Sequence, residues 1–265
     1  MESSFKGILY PARLPTFHRL PAPASMTDLV QWFWIPEWNI EPGRTSRQHL
    51  IAYPASNLVV QADGVVLSGP TTRAAYRDLA GRGWAVGALL RPAAVPLFTD
   101  DPASLRDTEI SLAADELRLS ISEEMNAYDG DNRRERAVDA FAGWLAGFAG
   151  PEVSAEALLA NRLMDVTASD TSITRLEDAA SSLAVSPRTL QRVAKKYVGH
   201  SPAARIRRRR LQDAAERARL DASAVWAAIA AELGYADHAH LTNDFQKYLG
   251  FTPSTYRRVV ASDAE

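Results

Sequence analysis

The 265-residue chain contains no cysteine. That excludes disulfides, thiolate metal centres and cysteine nucleophiles, and it fits a reducing compartment, the cytoplasm. No apolar run approaches the roughly eighteen residues that a membrane-spanning helix needs. The first stretch, MESSFKGILYPARLP, has no basic segment followed by an apolar one, so no secretory leader is expected. Histidine is scarce: of 5 in all, only His18 and His49 precede residue 166. Two separated histidines cannot build the His cluster of a metal-bearing barrel, so neither a metal nor another cofactor is expected. A Gly-x-Ser-x-Gly elbow, a phosphate-cradling glycine loop and a clustered acid, base and nucleophile set are also missing. The expectation is a protein that is not an enzyme.

What is present is unevenly distributed. The net charge is −2, but residues 1–166 hold 15 Lys and Arg against 21 Asp and Glu, while residues 167–265 hold 15 against 11. A basic segment joined to an acidic one suggests a polyanion-binding module attached to a different domain. The length also favours two domains. Residues 1 to about 112 are rich in aromatic, β-branched and Pro/Gly punctuation. They predict short antiparallel strands over 28–36, 49–54, 56–62, 64–69, 72–80 and 83–91. Asp63-Gly64 predicts a type I′ hairpin turn. From 115 to 165 apolar residues recur at helical spacing in three stretches, broken at 129–132 and 149–152. The polar stretch 165–172 is the expected linker, giving domains 1–165 and 166–265.

The second domain repeats itself. KYVGHSPAARI (196–206) returns 51 residues later as KYLGFTPSTYR (247–257). At that offset Ala179-Ala180 pairs with Ala230-Ala231, Leu190 with Leu241, and Ser186 with Asp237. Ser186 and Asp237 differ chemically, yet each can accept a backbone N–H as a helix N-cap, and Pro187 suits the first helical position. Each repeat therefore predicts a helix with an alanine pair, a tight turn, a capped second helix ending at Tyr-x-Gly, and a third helix opening at Ser-Pro or Thr-Pro. That is a helix-turn-helix with an added helix. A bland scaffold of two helical hairpins would give the same period. The outward residues of the first second-helix, Arg188, Thr189, Gln191, Arg192 and Lys195, favour nucleic acid, because such side chains reach base edges and phosphates. A connecting helix from Pro202 to Leu220 would be roughly 27 Å long. Successive major grooves on one DNA face lie about 34 Å apart. Helices 187–197 and 238–249 could thus enter adjacent grooves from one side. Arg188, Gln191 and Arg192 are the candidate base readers in the first, and His238, Thr242 and Asn243 in the second, with Lys247 beside them.

Residues 172–260 resemble the paired helix-turn-helix domain of the AraC/XylS family of transcription regulators. The resemblance is carried by Ala230, Gly234, Tyr235, Phe245, Lys247, Gly250, Thr252-Pro253 and Tyr256-Arg257. Ala194 stands where the family usually has Phe, and Asn243 where many members have Arg. The resemblance implies double-stranded DNA and RNA polymerase as partners. It also implies an N-terminal cupin-like antiparallel β-barrel with flanking helices, used to sense a small-molecule effector or to form a homodimer. The fold class expected is therefore α+β: that barrel followed by an all-α domain of two helix-turn-helix units joined by a linker helix.

Four further features have plainer readings. The run RIRRRR, with Arg205 and Arg207 to Arg210, covers all faces of a helix. It reads as a solvated, partly acid-paired surface with Arg209 near Asp213, and one or two of its members reaching phosphate. His238 and His240 fall about 200° apart on a helix, which does not suit a metal. Trp32, Trp34 and Trp84 could line an aromatic ligand pocket, although aromatics in such strands more often fill a sheet core. In the 115–164 helices, Phe141, Trp144, Leu145 and Phe148 form a stripe for either internal packing or a homodimer contact. The N-terminal domain could also serve only to oligomerise, or be a metabolite-processing barrel that acquired a DNA-binding tail.

Overall fold

Alternation of apolar and polar residues builds the first half of the chain into strands. The computed structural model describes residues 16–127, 132–150, 152–220 and 225–262. The opening stretch 1–15 and most of the predicted break at 129–132 lie outside those residues. Eight strands are present among them: β1 (Thr16–Pro21), β2 (Val30–Asn39), β3 (Thr45–Leu50), β4 (Asn57–Gln61), β5 (Gly64–Ser68), β6 (Ala75–Ala80), β7 (Arg82–Leu90) and β8 (Glu109–Leu112). Six of them form one antiparallel sheet in the order β1-β2-β7-β4-β5-β8, and β3 and β6 form a separate two-stranded ribbon. In β2 the buried residues are Val30, Phe33 and Ile35. The odd spacing of the first two is reconciled by an irregularity between Val30 and Trp32, which shifts the register against β7 and so resets which face each side chain takes. β4 lies between β5 and β7, and its Leu58, Val59 and Val60 are all buried.

The β4–β5 hairpin forms where it was expected, but its turn differs. Gln61 pairs with Gly64, leaving Ala62 and Asp63 as the two loop residues. Neither of them, nor Gly64, has positive φ, so the turn is not type I′. The Asp-Gly signal located the reversal one residue late.

Three helices follow: α1 (Asp115–Asn126), α2 (Arg133–Ala146) and α3 (Ala155–Ser169). Their apolar positions recur every three or four residues. Leu117, Ile121 and Met125 of α1, and Val138, Phe141, Ala142 and Leu145 of α2, are buried in the same core as the sheet. The Phe33 and Phe141 rings meet edge to face at 5.4 Å. Buried Asn161 of α3 accepts from Ala93 N at 3.0 Å and donates to Asp28 O at 2.8 Å, which fixes α3 against two loops of the β-domain.

The remaining helices are α4 (Leu176–Ser182), α5 (Pro187–Tyr197), α6 (Pro202–Leu220), α7 (Trp226–Glu232), α8 (His238–Leu249) and α9 (Pro253–Ser262). The layout is the expected one, an antiparallel β-domain with flanking helices followed by two helix-turn-helix units on a linker helix, but in place of the expected barrel stands a six-stranded sheet with β1 and β8 at its edges, beside the β3–β6 ribbon. The predicted linker is partly helical, because α3 runs through Asp165 to Ser169. Thr167 Oγ1 bonds back to Leu163 O at 2.6 Å within it. The hydrophobic core does not pause there either. Leu159, Ala160, Leu163 and Met164 of α3 share one cluster with the sheet and with Leu190, Val193, Ala194 and Tyr197 of α5. A second cluster unites α6, α7, α8 and α9 with Ala52 of the β-domain.

The arginine run also departs from the solvated reading. Arg208 and Arg209 are 7 % and 6 % exposed. Arg205 donates to Met164 O and Thr167 Oγ1, both at 3.1 Å. Arg208 donates to Ala52 O at 2.5 Å and lies over the Tyr53 ring. Arg209 donates to the carbonyls of Asp170 and Ile173. These guanidiniums cap the carbonyls that end α3 and the loop after β3, so they join the halves instead of reaching outward. Burial lowers Arg208 to about 10. Arg209 and Asp213 are 3.8 Å apart, as expected. Among the described residues, no helix is long and apolar enough to cross a membrane.

Candidate nucleic-acid interface

Both helix-turn-helix units close their turns in one way. Val185 N bonds Ala180 O at 3.0 Å, and Tyr235 N bonds Ala230 O at 2.9 Å. The residue before each, Ala184 and Gly234, is left-handed with φ 53° and 70°. That fixes the equivalence of the units more finely than the sequence offset. Through the first helix and turn the spacing is 50, so Ala179-Ala180 corresponds to Ile229-Ala230, all four buried, and Ala231 is exposed. The second turn then holds one extra residue, Ala236, and from the caps onward the spacing is 51.

The caps are as expected. Ser186 Oγ accepts from Thr189 N at 3.1 Å, and Asp237 Oδ1 accepts from His240 N at 2.7 Å. Gly199 and Gly250 follow the second helices with φ 74° and 76°, where glycine alone is unstrained. Ser201 and Thr252 then cap α6 and α9.

Amphipathicity decides what α5 and α8 present. In α5, Leu190, Val193, Ala194 and Tyr197 are buried; in α8, Leu241, Asp244, Phe245, Tyr248 and Leu249 are. Trp226 is buried, its ring meeting Phe245 edge to face at 5.2 Å. Arg188, Gln191, Arg192 and Lys195 are exposed and Thr189 is half-buried. With Ser186 they make up one open face of the helix. On α8, His238, Asn243 and Lys247 are exposed and Thr242 is half-buried. The Thr242 hydroxyl is turned back onto His238 O at 2.9 Å. α5 carries Arg188, Arg192, Lys195 and Lys196 with no acid, whereas α8 carries only Lys247 and the buried Asp244. Cationic pull is therefore concentrated on α5.

Glu156, in the first turn of α3, was not among the residues the sequence singled out. Its carboxylate accepts from Arg192, from Lys196 Nζ at 2.5 Å and from Tyr197 OH at 3.1 Å. These donors, Lys196 foremost, hold its pKa at about 2. No spacing rule relates residue 156 to residues 192–197, so only the tertiary contact of α3 with α5 reveals it.

The aromatic candidates do not converge. Trp32 and Trp34 alternate with buried Phe33 and Ile35, so they stand on the outer face of the sheet. Trp34 packs over Gly87, where any Cβ would lie 2.1 Å from the indole, and bonds Asn57 at 3.0 Å. Trp32 lies beneath the Arg19 guanidinium. Trp84 shares the parity of buried Val86, Ala88 and Leu90 and packs on the core side. Alternation along a strand separates them. No group of three metal-ligating side chains occurs among the described residues. The His49 side chain lies outside the described residues.

Residues 179–259 match the family model of a helix-turn-helix domain, and residues 18–111 match that of a domain of unknown function, DUF6597. A stretch of 124 residues is 38% identical to a protein of Streptomyces antibioticus described as an AraC-like transcription regulator, covering 47% of this chain and 39% of that protein. A counterpart from Streptomyces lividans is 36% identical over 124 residues, covering 47% of this chain and 38% of its own length. The match thus spans about two-fifths of these curated relatives. Among solved structures, an apo variant of ToxT from Vibrio cholerae is 13% identical with a TM-score of 0.44, covering 86% of this chain and 97% of that one. Another ToxT structure is 12% identical with a TM-score of 0.43, covering 92% and 97%. The C-terminal part of the chain carries a helix-turn-helix domain.

Proposed function

We propose that the chain is a sequence-specific, double-stranded DNA-binding transcription regulator that acts in the cytoplasm and is not an enzyme. The observation that supports it most is the pair of equivalent capped helices, α5 and α8, whose polar sides are exposed while α6 holds them apart. In this reading Arg188, Gln191 and Arg192 read base edges from α5, since Arg suits guanine and Gln suits adenine. Thr189 and Lys195 contact the backbone. His238, Thr242 and Asn243 serve the second groove, and Lys247 a phosphate. Regulation of RNA polymerase follows from occupancy of the site. The test is selection of duplexes from a random pool by the full chain. Enrichment of a motif with two separated boxes is expected, and a pool without enrichment would sink the reading.

Residues 1–165, the β-domain with α1, α2 and most of α3, are the regulatory half in this reading, controlled by a small-molecule effector. The raised midpoint of the whole chain in a thermal-shift screen would identify it, because a ligand of the folded state must stabilise that state. A homodimer contact is supported by Phe98, Trp144 and Phe148. Trp144 and Phe148 have ring centroids 4.4 Å apart, and Phe148 is 48% exposed. Phe141 and Leu145 of the same stripe are wholly buried and serve the core.

A further inference from the structure

Glu156 lies two residues past the N-cap of α3, where Ser154 Oγ accepts from Ala157 N at 3.2 Å. Ala157, Leu159, Ala160, Leu163 and Met164 are buried along the same helix. α3 therefore cannot roll without opening the core, and its first turn is fixed against α5. The donors that converge on the carboxylate are a guanidinium, an ammonium and a phenol hydroxyl, all from the last turns of α5. Guanidinium, ammonium and hydroxyl donors are also those by which proteins hold a DNA phosphate. Arg192 and Lys196 remain 62% and 55% exposed on their side chains, so a duplex laid on α5 would meet them. One set of N–H donors cannot serve both anions fully.

We infer that Glu156 is an internal competitor of DNA: in the free chain it holds the anion position at the C-terminal end of α5, and Arg192 and Lys196 engage a duplex fully only when α3 yields them. The inference rests on the proposed DNA-reading role of α5. Arg188, Gln191 and Lys195 are exposed and none of them reaches Glu156, so the chain meets DNA with these three side chains available and with Arg192 and Lys196 occupied. α3 also carries Asn161, which is bonded to the loops of the β-domain. Glu156 is thus the point at which a shift in the β-domain reaches the DNA-binding helix.

The test compares the full chain with Glu156→Gln on the duplex obtained by selection, across a salt series. Each freed cation that meets a phosphate adds about 0.9 to the slope of log K against log salt. With Arg192 on a base edge and Lys196 on a phosphate, Glu156→Gln should steepen that slope by about one unit and tighten binding at low salt by about tenfold. Glu177→Gln removes the same charge from an exposed site on α4 and should change neither the slope nor the affinity comparably. In an Arg192→Ala, Lys196→Ala background the gain from Glu156→Gln should vanish. The inference is overturned by unchanged or weaker binding of Glu156→Gln, including the case where only its melting temperature falls. It is also overturned if Glu177→Gln tightens binding equally, or if the gain persists without Arg192 and Lys196. Failure of both wild type and Glu156→Gln to select any duplex would remove the DNA-reading role itself, a result distinct from selection without a gain.

Discussion

Arg188 and Lys195 sit at opposite ends of the exposed side of α5, and their different neighbourhoods predict different losses. Arg188 follows Pro187 in the first turn and stands on the open face of α5. Its replacement by alanine should cost about 1 to 3 kcal/mol of binding and relax preference at one base pair. Lys195→Ala should weaken all sequences nearly equally and lower the salt slope by about one unit. Parallel binding-site selections and salt titrations distinguish the two, and an unchanged consensus for Arg188→Ala would assign reading to other residues. Glu156 gives a pH signature. Its folded pKa lies at about 2, below the ordinary 4.5. The stability it contributes is therefore complete above about pH 4.5 and fades as pH falls towards 2. Glu156→Gln should melt earlier than wild type at neutral pH, by a difference worth up to about 1 kcal/mol for so exposed a set of donors, and the two melting curves should converge in acid.

At the level of the element, the two turn glycines invite a comparison. A Cβ at Gly234 would meet nothing nearer than Arg210 at 3.9 Å, so Gly234→Ala costs only the left-handed strain, about 1 to 2 kcal/mol. A Cβ at Gly199 would lie 2.3 Å from Pro102 O, so Gly199→Ala adds a backbone clash to the same strain. Calorimetry should show Gly199→Ala melting well below Gly234→Ala. The element boundaries 187–197, 202–220 and 238–249 were legible because caps, prolines and helix-ending glycines are local signals. The finer register was not, since the alanine pair repeats as Ala230-Ala231 at offset 51, and only the buried set shows that its structural counterpart is Ile229-Ala230 at offset 50. The tryptophans were legible as strand residues. Which face each took depended on the irregularity between Val30 and Trp32, and that depends on pairing with β7. The arginine run misled because periodicity cannot tell solvent from a partner's carbonyl groups, and Ala52 O and Ile173 O come from distant parts of the chain.

For the molecule as a whole, the shared core changes what a fragment can do. A fragment starting at 167 loses Leu159, Ala160, Leu163 and Met164, which pack in one cluster with Leu190, Val193 and Tyr197. Residues 153–265 should therefore show the more cooperative thermal melt by circular dichroism and bind DNA, while residues 167–265 should bind more weakly. Equal melting and binding of the two would show that α3 is dispensable to the first unit. Sedimentation of the full chain against a Trp144→Ser, Phe148→Ser variant tests the aromatic contact, with a shift to monomer expected. The ends of α8 have a further consequence. Its Lys247 and Tyr248 carbonyls accept from Ala74 N at 2.9 Å and Ala52 N at 3.0 Å, on the loops flanking the β3–β6 ribbon. α5 is clamped to α3 in turn. If α5 and α8 read DNA as proposed, these contacts set them at a constant angle about its axis, like two teeth on one comb. Since one base pair turns the duplex by roughly 35°, a single pair inserted between the boxes should rotate the far box away from its helix, so the chain would measure the twist of its operator as well as its letters.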